Sequence, residues 1–249
     1  MKKAVTAFFM SWGMFLAIPC PYRAWDEKYR RFMLVFFPVI GLIIGAVWAA
    51  AAYVLQLAGW MNLFGAVVLT AIPYMLTGFI HLDGFMDCCD AILSRRALSE
   101  RQRILKDPHT GAFAVICLCI LLLFCVALFS VSDLSGREHL LIFIPIASRA
   151  SAAMGVLILK PIGHSSYAAG SDNGTGKGVK IALLLIGLIS IALPVIFHGI
   201  YGLCSLAAVC GSSLAILYGY KQLGGMSGDI AGYAVTIGEV CAIAALALI

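Results

Sequence analysis

Three aspartates lie close together directly after an apolar segment. The stretch reads His81-Leu82-Asp83-Gly84-Phe85-Met86-Asp87-Cys88-Cys89-Asp90. If it is helical, Asp83, Asp87 and Asp90 are spaced by four and then three residues, so their side chains share one face. Three like charges within about 10 Å along a helix repel one another. The spacing therefore favours neutralisation by a bound cation.

The cation that these side chains predict is a divalent metal with a preference for oxygen. The nine cysteines of the chain show no Cys-x-x-Cys or Cys/His ligand spacing, which argues against zinc and disulfides. Carboxylates favour magnesium or manganese, and protein-bound magnesium usually shares its ligands with substrate phosphates. The alternative is a solvated helix end with ordinary surface aspartates. Three carboxylates at this spacing favour the metal site.

The rest of the chain predicts the environment in which this site is held. Of the 249 residues, 62% are hydrophobic and only 12% are charged, with a mean hydropathy of +1.01. A soluble domain carries about 25% charged residues. The apolar residues form blocks near the ~20 residues that cross a bilayer, without the alternation of a β-barrel. We predict an all-α, polytopic integral membrane helix bundle that forms a single domain over residues 1–249.

About seven apolar blocks are long enough to be transmembrane helices. Their approximate bounds are 33–57, 63–80, 111–131, 140–159, 181–200, 203–220 and 230–249. An earlier apolar block, 4–20, has lysines and arginines on both sides. We expect it to lie in or dip into the cytoplasmic face as an interfacial or re-entrant helix; the alternative is that it crosses as an eighth span.

The positions of the cations predict the orientation, because cytoplasmic loops are enriched in lysine and arginine. With seven spans, nearly all cations fall on one side, and only Arg137 falls on the other. The N-terminus is then cytoplasmic, and residues 81–110 form a cytoplasmic active-site loop. Within it, Ser99 and Gln102 have the spacing of a capping box and predict a short interfacial helix. The net charge of +5 reflects this orientation, and no soluble basic domain is present to bind nucleic acid.

A series of motifs resembles the cobalamin synthase family in order and spacing over nearly the whole chain. The motifs are FFPVIGLIIG at 36–45, TGFIHLDG at 77–84 with Asp87 and Asp90, KDPHTG at 106–111, Ser148-Arg149, and GGMSGD at 224–229. The sequence departs from the family pattern at two positions. Pro108 stands where serine is usual, and Thr236 stands where a late glutamate is usual, although Glu239 matches the next one.

The resemblance implies a magnesium-dependent transferase of late cobalamin biosynthesis in the cell inner membrane, with its active site on the cytoplasmic side. Adenosylcobinamide-GDP would receive α-ribazole, or its 5′-phosphate, and GMP would leave. In this phosphoryl transfer, Asp83, Asp87 and Asp90 would hold one or two Mg²⁺ ions across the diphosphate. One of these aspartates, or His81, would accept the ribazole hydroxyl proton. The sequence leaves a homo-oligomer open.

Three residues between the aspartates and the end of the chain are further candidates for substrate binding. Lys106 and Asp107 close the loop that begins with the aspartates, although Lys106 could equally be a positive-inside anchor. Arg149 lies inside an apolar span, where an arginine costs at least ~2.5 kcal/mol unless it is paired or near water. We expect phosphate or one of the aspartates to be its partner.

The late glycine-rich motif predicts a turn that approaches a ligand. Gly224 and Gly225 would let backbone amides come close to the substrate, while Ser227 and Asp229 could contact it or cap the last helix. The stretch at 174–178 superficially resembles a phosphate loop. It lacks that motif's first glycine and its Ser or Thr, so we interpret it as a cytoplasmic loop.

Two other functions fit part of the pattern. A CDP-alcohol phosphotransferase-like lipid enzyme also sets aspartates at a membrane helix end, but its motif has Ala-Arg soon after Asp-Gly and widely spaced later aspartates. A cation-coupled transporter would bury its acidic groups near the middle of the membrane. Here the carboxylates fall at the end of a span beside basic loops, which favours the transferase.

Overall fold

The computed structural model describes residues 2–23, 25–163 and 176–249, and every regular element within them is a helix. The helices are α1 (Lys2–Phe15), α2 (Arg30–Met33), α3 (Phe37–Leu57), α4 (Leu63–Leu76), α5 (Ile80–Leu93), α6 (Leu98–Ile104), α7 (Ala112–Val131), α8 (Phe143–Ile158), α9 (Gly176–His198), α10 (Leu203–Leu223) and α11 (Gly228–Leu248). Short 3-10 segments cover Glu27–Tyr29, Leu34–Phe36, Glu138–Ile142 and Gly199–Gly202. The predicted all-α class is confirmed.

Five helical stretches of the described residues are long and apolar enough to cross a membrane. They are Glu27–Leu57, Ala112–Val131, Glu138–Ile158, Gly176–Leu223 and Gly228–Leu248. The pair α4 and α5 would add a sixth if it forms one broken span. The 48-residue stretch contains both α9 and α10, which is enough chain for two crossings. The polytopic bundle is confirmed, and the number of seven spans stays a prediction.

Glycines allow the main helices to pack closely. Gly41 and Gly45 of α3 lie against the backbone of α8 and of the 3-10 turn before it, so a side chain at either position would collide with main-chain atoms. Gly211 of α10 faces the side chain of Cys241 on α11, and Gly238 of α11 faces the side chain of Ser212 and the backbone of Ala208 on α10. Small residues at helix crossings are typical of membrane bundles, where close packing replaces the hydrophobic effect as the source of association.

Helix α4 contains a proline whose effect is compensated by a neighbouring helix. Pro73 has no N–H to donate to the carbonyl of Leu69, one turn earlier. The buried indole of Trp48 on α3 donates to that carbonyl at 2.8 Å. In the membrane interior an unsatisfied carbonyl is expensive, so this bond both permits the proline and joins α3 to α4.

The chain turns sharply between α4 and α5, just before the aspartates. Gly78 and Phe79 have φ angles of +59° and +65°, and the axes of the two helices differ by 93°. The predicted span 63–80 is therefore wrong at its end, because α4 stops at Leu76. The aspartates do not continue that helix. They lie on a separate helix, α5, which packs across α11.

Helix α1 has only 14 residues and is not among the stretches long enough to cross a membrane. Its end contacts the start of α3, where the rings of Phe15 and Phe37 lie 4.3 Å apart. The backbone N–H of Ala17 donates to the carbonyl of Leu76 at 2.8 Å. The N-terminal segment is thus attached to the turn that precedes the aspartates, and its interfacial or re-entrant placement stays a prediction.

The short helix α6 forms as predicted, but the capping box does not. Its N-cap is Ala97, whose side chain offers no hydrogen bond, so Ser99 lies inside the helix. The side chain of Gln102 instead donates to the carbonyl of Leu223 at 2.7 Å, and Arg101 donates to Gln222. These contacts attach α6 to the end of α10, and the predicted capping box is not formed.

The stretch at 174–178 lies partly outside the described residues. Its last three residues, beginning at Gly176, form the first turn of α9.

Candidate active site

A cavity of about 420 Å³ opens between α1, α5, α6, α8 and α11. Its apolar wall includes aromatic side chains from α1 and α3. Its polar lining residues are His81, Asp83, Gln102, Lys106, Ser227 and Asp229. Residues far apart in the sequence thus meet in one place, and five of these six were predicted as site residues. The structure adds Gln102, which the sequence indicated only as part of a capping box.

The crossing of α5 and α11 depends on two glycines. A Cβ atom placed on Gly84 would lie 2.8 Å from the carbonyl oxygen of Asp229, and one on Gly232 would lie 3.1 Å from the carbonyl oxygen of His81. The hydroxyl of Thr236 donates to that same His81 carbonyl at 3.3 Å. Gly84, the glycine of the Asp-Gly pair, therefore lets the backbone of α5 lie close to Asp229 at the start of α11.

The predicted acidic face is present and is larger than the sequence indicated. Asp83 is exposed, whereas Asp87 and Asp90 are half-buried. Asp83, Asp90 and Asp229 are all close enough to act electrostatically on Asp87. No lysine or arginine of the described residues forms an ion pair with Asp83, Asp87 or Asp90. The face therefore has excess negative charge that a cation would neutralise.

The oxygen ligands suit magnesium in type, but they do not form a closed metal cage. Among the described residues, no three His, Cys, Asp or Glu side chains are grouped closely enough to hold an ion by themselves. Magnesium in phosphoryl-transfer sites is commonly held by one or two carboxylates together with substrate phosphates and water. The open acidic face fits an ion of that kind better than a structural one.

The loop after α6 reaches the acidic face at one point. Gly111 lies directly against the carboxylate of Asp90, and a side chain at this position would overlap it. Lys106 is exposed at the wall of the cavity. Asp107 does not line the cavity and accepts hydrogen bonds from the backbone N–H of His109 at 3.0 Å and from its ring at 2.7 Å. These bonds lower the pKa of Asp107 below its ordinary value.

The late glycine motif forms the predicted turn. Gly224 ends α10 with a φ of +74°, a conformation that favours glycine, and Gly225 packs against the backbone of Ile162. Ser227 caps α11 by accepting from the backbone N–H of Ile230 at 3.3 Å, as expected. Asp229 lies in the first turn and accepts from the Ser227 hydroxyl at 3.2 Å, so it is not the cap. Gly224 and Gly225 shape the turn without lining the cavity.

Arg149 has a partner that the sequence analysis did not assign to it. Its guanidinium donates to the carboxylate of Glu239 at 2.6 Å and to the carbonyl of Pro145 at 3.2 Å, and both charged side chains are buried. Ser148 also donates to Glu239, at 3.3 Å. Arg149 therefore contacts none of the aspartates, and it does not line the cavity. A glutamate inside an apolar helix was the available signal for this pair.

His81 lies at the inner end of the cavity. Its side chain is 6% exposed, and its Nε2 atom has no hydrogen-bond partner among the described residues. The rings of Phe15 and Phe37 lie 6.0 and 5.5 Å from the imidazole. Buried polar atoms are almost always hydrogen-bonded, so this nitrogen is available to a ligand in the cavity.

Comparison with known proteins gives consistent matches over the whole chain. The family described as Cobalamin-5-phosphate synthase matches residues 7–247. A Clostridium perfringens (strain 13 / Type A) protein named adenosylcobinamide-GDP ribazoletransferase is 40% identical over 251 residues, which cover 100% of both chains. Proteins of the same name from Clostridium botulinum (strain Alaska E43 / Type E3) and Lachnoclostridium phytofermentans are 37% and 30% identical, over 96% and 93% of this chain and 96% and 89% of their own.

No solved structure matches the chain at a significant level. The family match covers nearly the whole chain, and the first relative covers all of it. This chain belongs to the cobalamin-5-phosphate synthase family.

Proposed function

We propose that this protein is a magnesium-dependent transferase that joins adenosylcobinamide-GDP to α-ribazole, or to its 5′-phosphate, and releases GMP. The names of the full-length relatives supply the reaction. The observation that carries the proposal is the open acidic face of α5 and α11 beside a cavity large enough for part of an organic substrate. Such a face suits a substrate that brings its own phosphates.

The reaction requires an oxygen nucleophile of the ribazole to attack the cobinamide-side phosphorus. The new bond forms there as the bond from that phosphorus to the bridging oxygen breaks, and the bridging oxygen leaves with GMP. Asp83, Asp87 and Asp90 would hold Mg²⁺, with Asp229 beside them. When bound there, Mg²⁺ would neutralise negative charge during the phosphoryl transfer.

The chain's own side chains orient the two substrates. Lys106, exposed at the cavity wall, is placed to contact a phosphate. His81, whose Nε2 is unpaired at the inner end, or one of the aspartates accepts the proton of the attacking hydroxyl. With both substrates bound, the apolar part of the wall would limit the access of water, which would favour attack by the ribazole over hydrolysis.

We place the protein in the cell inner membrane with this site on the cytoplasmic side. Arg101 and Lys106 lie at the end of the bundle that holds the acidic face. Arg137 lies at the other end, over the ring of Tyr201 at 3.6 Å. This separation supports the orientation predicted from charge. Carboxylates at one end also argue against a transporter with a site in mid-membrane.

The direct test follows GMP release by the purified full-length protein in detergent. With adenosylcobinamide-GDP, α-ribazole and MgCl₂, we expect GMP and an adenosylcobalamin product in equal amounts. Omitting α-ribazole or adding EDTA should abolish both. Release of GMP without α-ribazole would indicate a hydrolase, and turnover of a CDP-alcohol in place of adenosylcobinamide-GDP would favour the lipid-enzyme alternative.

A further inference from the structure

A second opening lies at the carboxyl end of α5. It is separate from the cavity lined by Asp83 and Asp229, which we call the aspartate cavity. The second opening has a volume of about 380 Å³, and its polar walls are formed by Arg95, Arg96, Arg101 and Gln222. None of its lining residues lines the aspartate cavity. We call it the arginine opening.

The three arginines of this opening have no acidic partner in the described part of the chain. Arg103, on the same helix as Arg101, pairs with Glu100 at 3.0 Å, whereas no carboxylate pairs with Arg95, Arg96 or Arg101. Arg101 donates to Gln222, and its Nε atom is buried without a hydrogen-bond partner. Three guanidinium groups around one opening, with a buried donor unsatisfied, fit a phosphate-bearing anion.

The arginine opening continues into an apolar groove between α5, α7, α10 and α11. The groove has a volume of about 390 Å³ and shares Ile92, Leu93 and Tyr218 with the arginine opening. On the α7 side it is bordered by Ile120 and Phe124, which are 63% and 50% exposed on the apolar surface of the bundle. A ligand that fills both parts must therefore have an anionic head and an apolar chain.

We propose that the arginine opening and the apolar groove together bind one anionic phospholipid. The headgroup phosphate accepts hydrogen bonds from the arginines, and an acyl chain lies along the groove. Basic pockets that open between transmembrane helices bind acidic lipid headgroups in this way. The groove is lined in part by Phe85 and Cys89 of α5. A bound lipid would thus support the helix that carries the acidic face.

The test uses thermal unfolding of the full-length protein in detergent with three added probes. These are phosphatidylglycerol, phosphatidylcholine with the same acyl chains, and inorganic phosphate. We expect a rise in Tm with phosphatidylglycerol alone. In the double variant Arg95→Gln/Arg96→Gln, the phosphatidylglycerol concentration for half the effect should rise about thirtyfold, because each basic residue contributes to the attraction of an acidic headgroup.

The matched control is Arg103→Gln, which removes a cation from the same region but not from the arginine opening. It should respond to phosphatidylglycerol as the unmodified protein does. Among the described residues, the side chains of Arg95 and Arg96 make no ion pair, so Tm without lipid should be unchanged in the double variant. If the double variant is less stable without lipid, the single variant Arg96→Gln takes its place in the test. Equal stabilisation by phosphatidylcholine or by inorganic phosphate, or an unchanged response of the arginine variants, would overturn the proposal.

Discussion

The guanidinium of Arg149 lies 2.6 Å from the carboxylate of Glu239, and this buried ion pair joins α8 to α11. The two helices border the aspartate cavity, and α11 begins with the turn that carries Asp229. The sequence suggested that Arg149 binds substrate. Its ion pair with Glu239 instead explains why an arginine is present in the apolar helix α8. The same ion pair explains why the apolar helix α11 contains Glu239.

We expect Glu239→Gln to destabilise the protein strongly. The substitution leaves the Arg149 charge buried without a counter-ion, and loss of one partner of a buried pair costs about 3–5 kcal/mol. Thermal unfolding in detergent measures the effect. Arg149→Met and Glu239→Leu, each made alone and then together, complete the test. The double variant removes both charges and should lose much less stability than the two single variants added together. A loss in the double variant equal to the sum of the single losses would show that the two side chains do not interact.

Asp87→Asn should lower activity without lowering the stability of the metal-free protein. The change keeps the side-chain shape but removes one of the proposed anionic ligands of Mg²⁺, so turnover should fall by roughly a hundredfold or more, or about 2.7 kcal/mol. Because Asp83, Asp90 and Asp229 act on Asp87 electrostatically, removing its charge relieves repulsion when no ion is bound.

The measurement for this variant is turnover against magnesium concentration, alongside thermal unfolding in EDTA. We expect the variant to melt at the same temperature as the unmodified protein or slightly higher. Full activity of Asp87→Asn at low magnesium would remove Asp87 from the proposed metal site and favour an ordinary solvated helix face.

Gly84→Ala should separate α5 from α11. The added Cβ would lie 2.8 Å from the carbonyl oxygen of Asp229, a backbone atom that cannot rotate away. Overpacking of this kind costs about 1–3 kcal/mol, and it should also lower activity because Asp83 and Asp229 move apart. Gly178→Ala is the matched control, since Gly178 is helical and has open space around it. A fully active and stable Gly84→Ala variant would contradict the close crossing.

The Asp107 carboxyl should stay ionised at lower pH than an ordinary aspartate. Hydrogen bonds from the backbone and ring of His109 stabilise its charged form and lower its pKa. A lowered pKa means that these bonds stabilise the fold above the ordinary pKa and cease to do so as the pH falls through the folded value. His109→Ala removes the ring but keeps the backbone bond, so the pKa should rise partway, as NMR titration of labelled aspartate can measure. An unchanged pKa would exclude the ring contact.

The sequence predicts the helices well where apolar runs are long, because bilayer thickness alone sets their length. It also places Asp83, Asp87 and Asp90 on one face, since helix periodicity is local information. The 93° turn before them was not predicted, because it depends on left-handed φ angles at Gly78 and Phe79 inside an otherwise continuous apolar run.

Contacts between distant helices account for the rest of what the sequence did not predict. The pairing of Arg149 with Glu239 and the binding of Gln102 to the end of α10 depend on which helices meet. Hydrophobicity says which residues avoid water, but not which neighbour each helix faces. The resemblance of motifs indicated which residues gather at the site, whereas the geometry separates those that line the cavity, such as Ser227, from those that shape it, such as Gly225.

The bond from Trp48 to the carbonyl of Leu69 predicts a coupling with Pro73. Trp48→Phe keeps a large aromatic side chain but leaves that carbonyl without its donor, which should cost about 1–3 kcal/mol of stability. Pro73→Ala restores a backbone N–H one turn after Leu69, so the same carbonyl can regain a helical hydrogen bond. Trp48→Phe should therefore cost much less in the Pro73→Ala background than alone. Thermal unfolding of the two single variants and the double variant measures this difference. Equal losses in both backgrounds would show that the indole does not compensate for the proline.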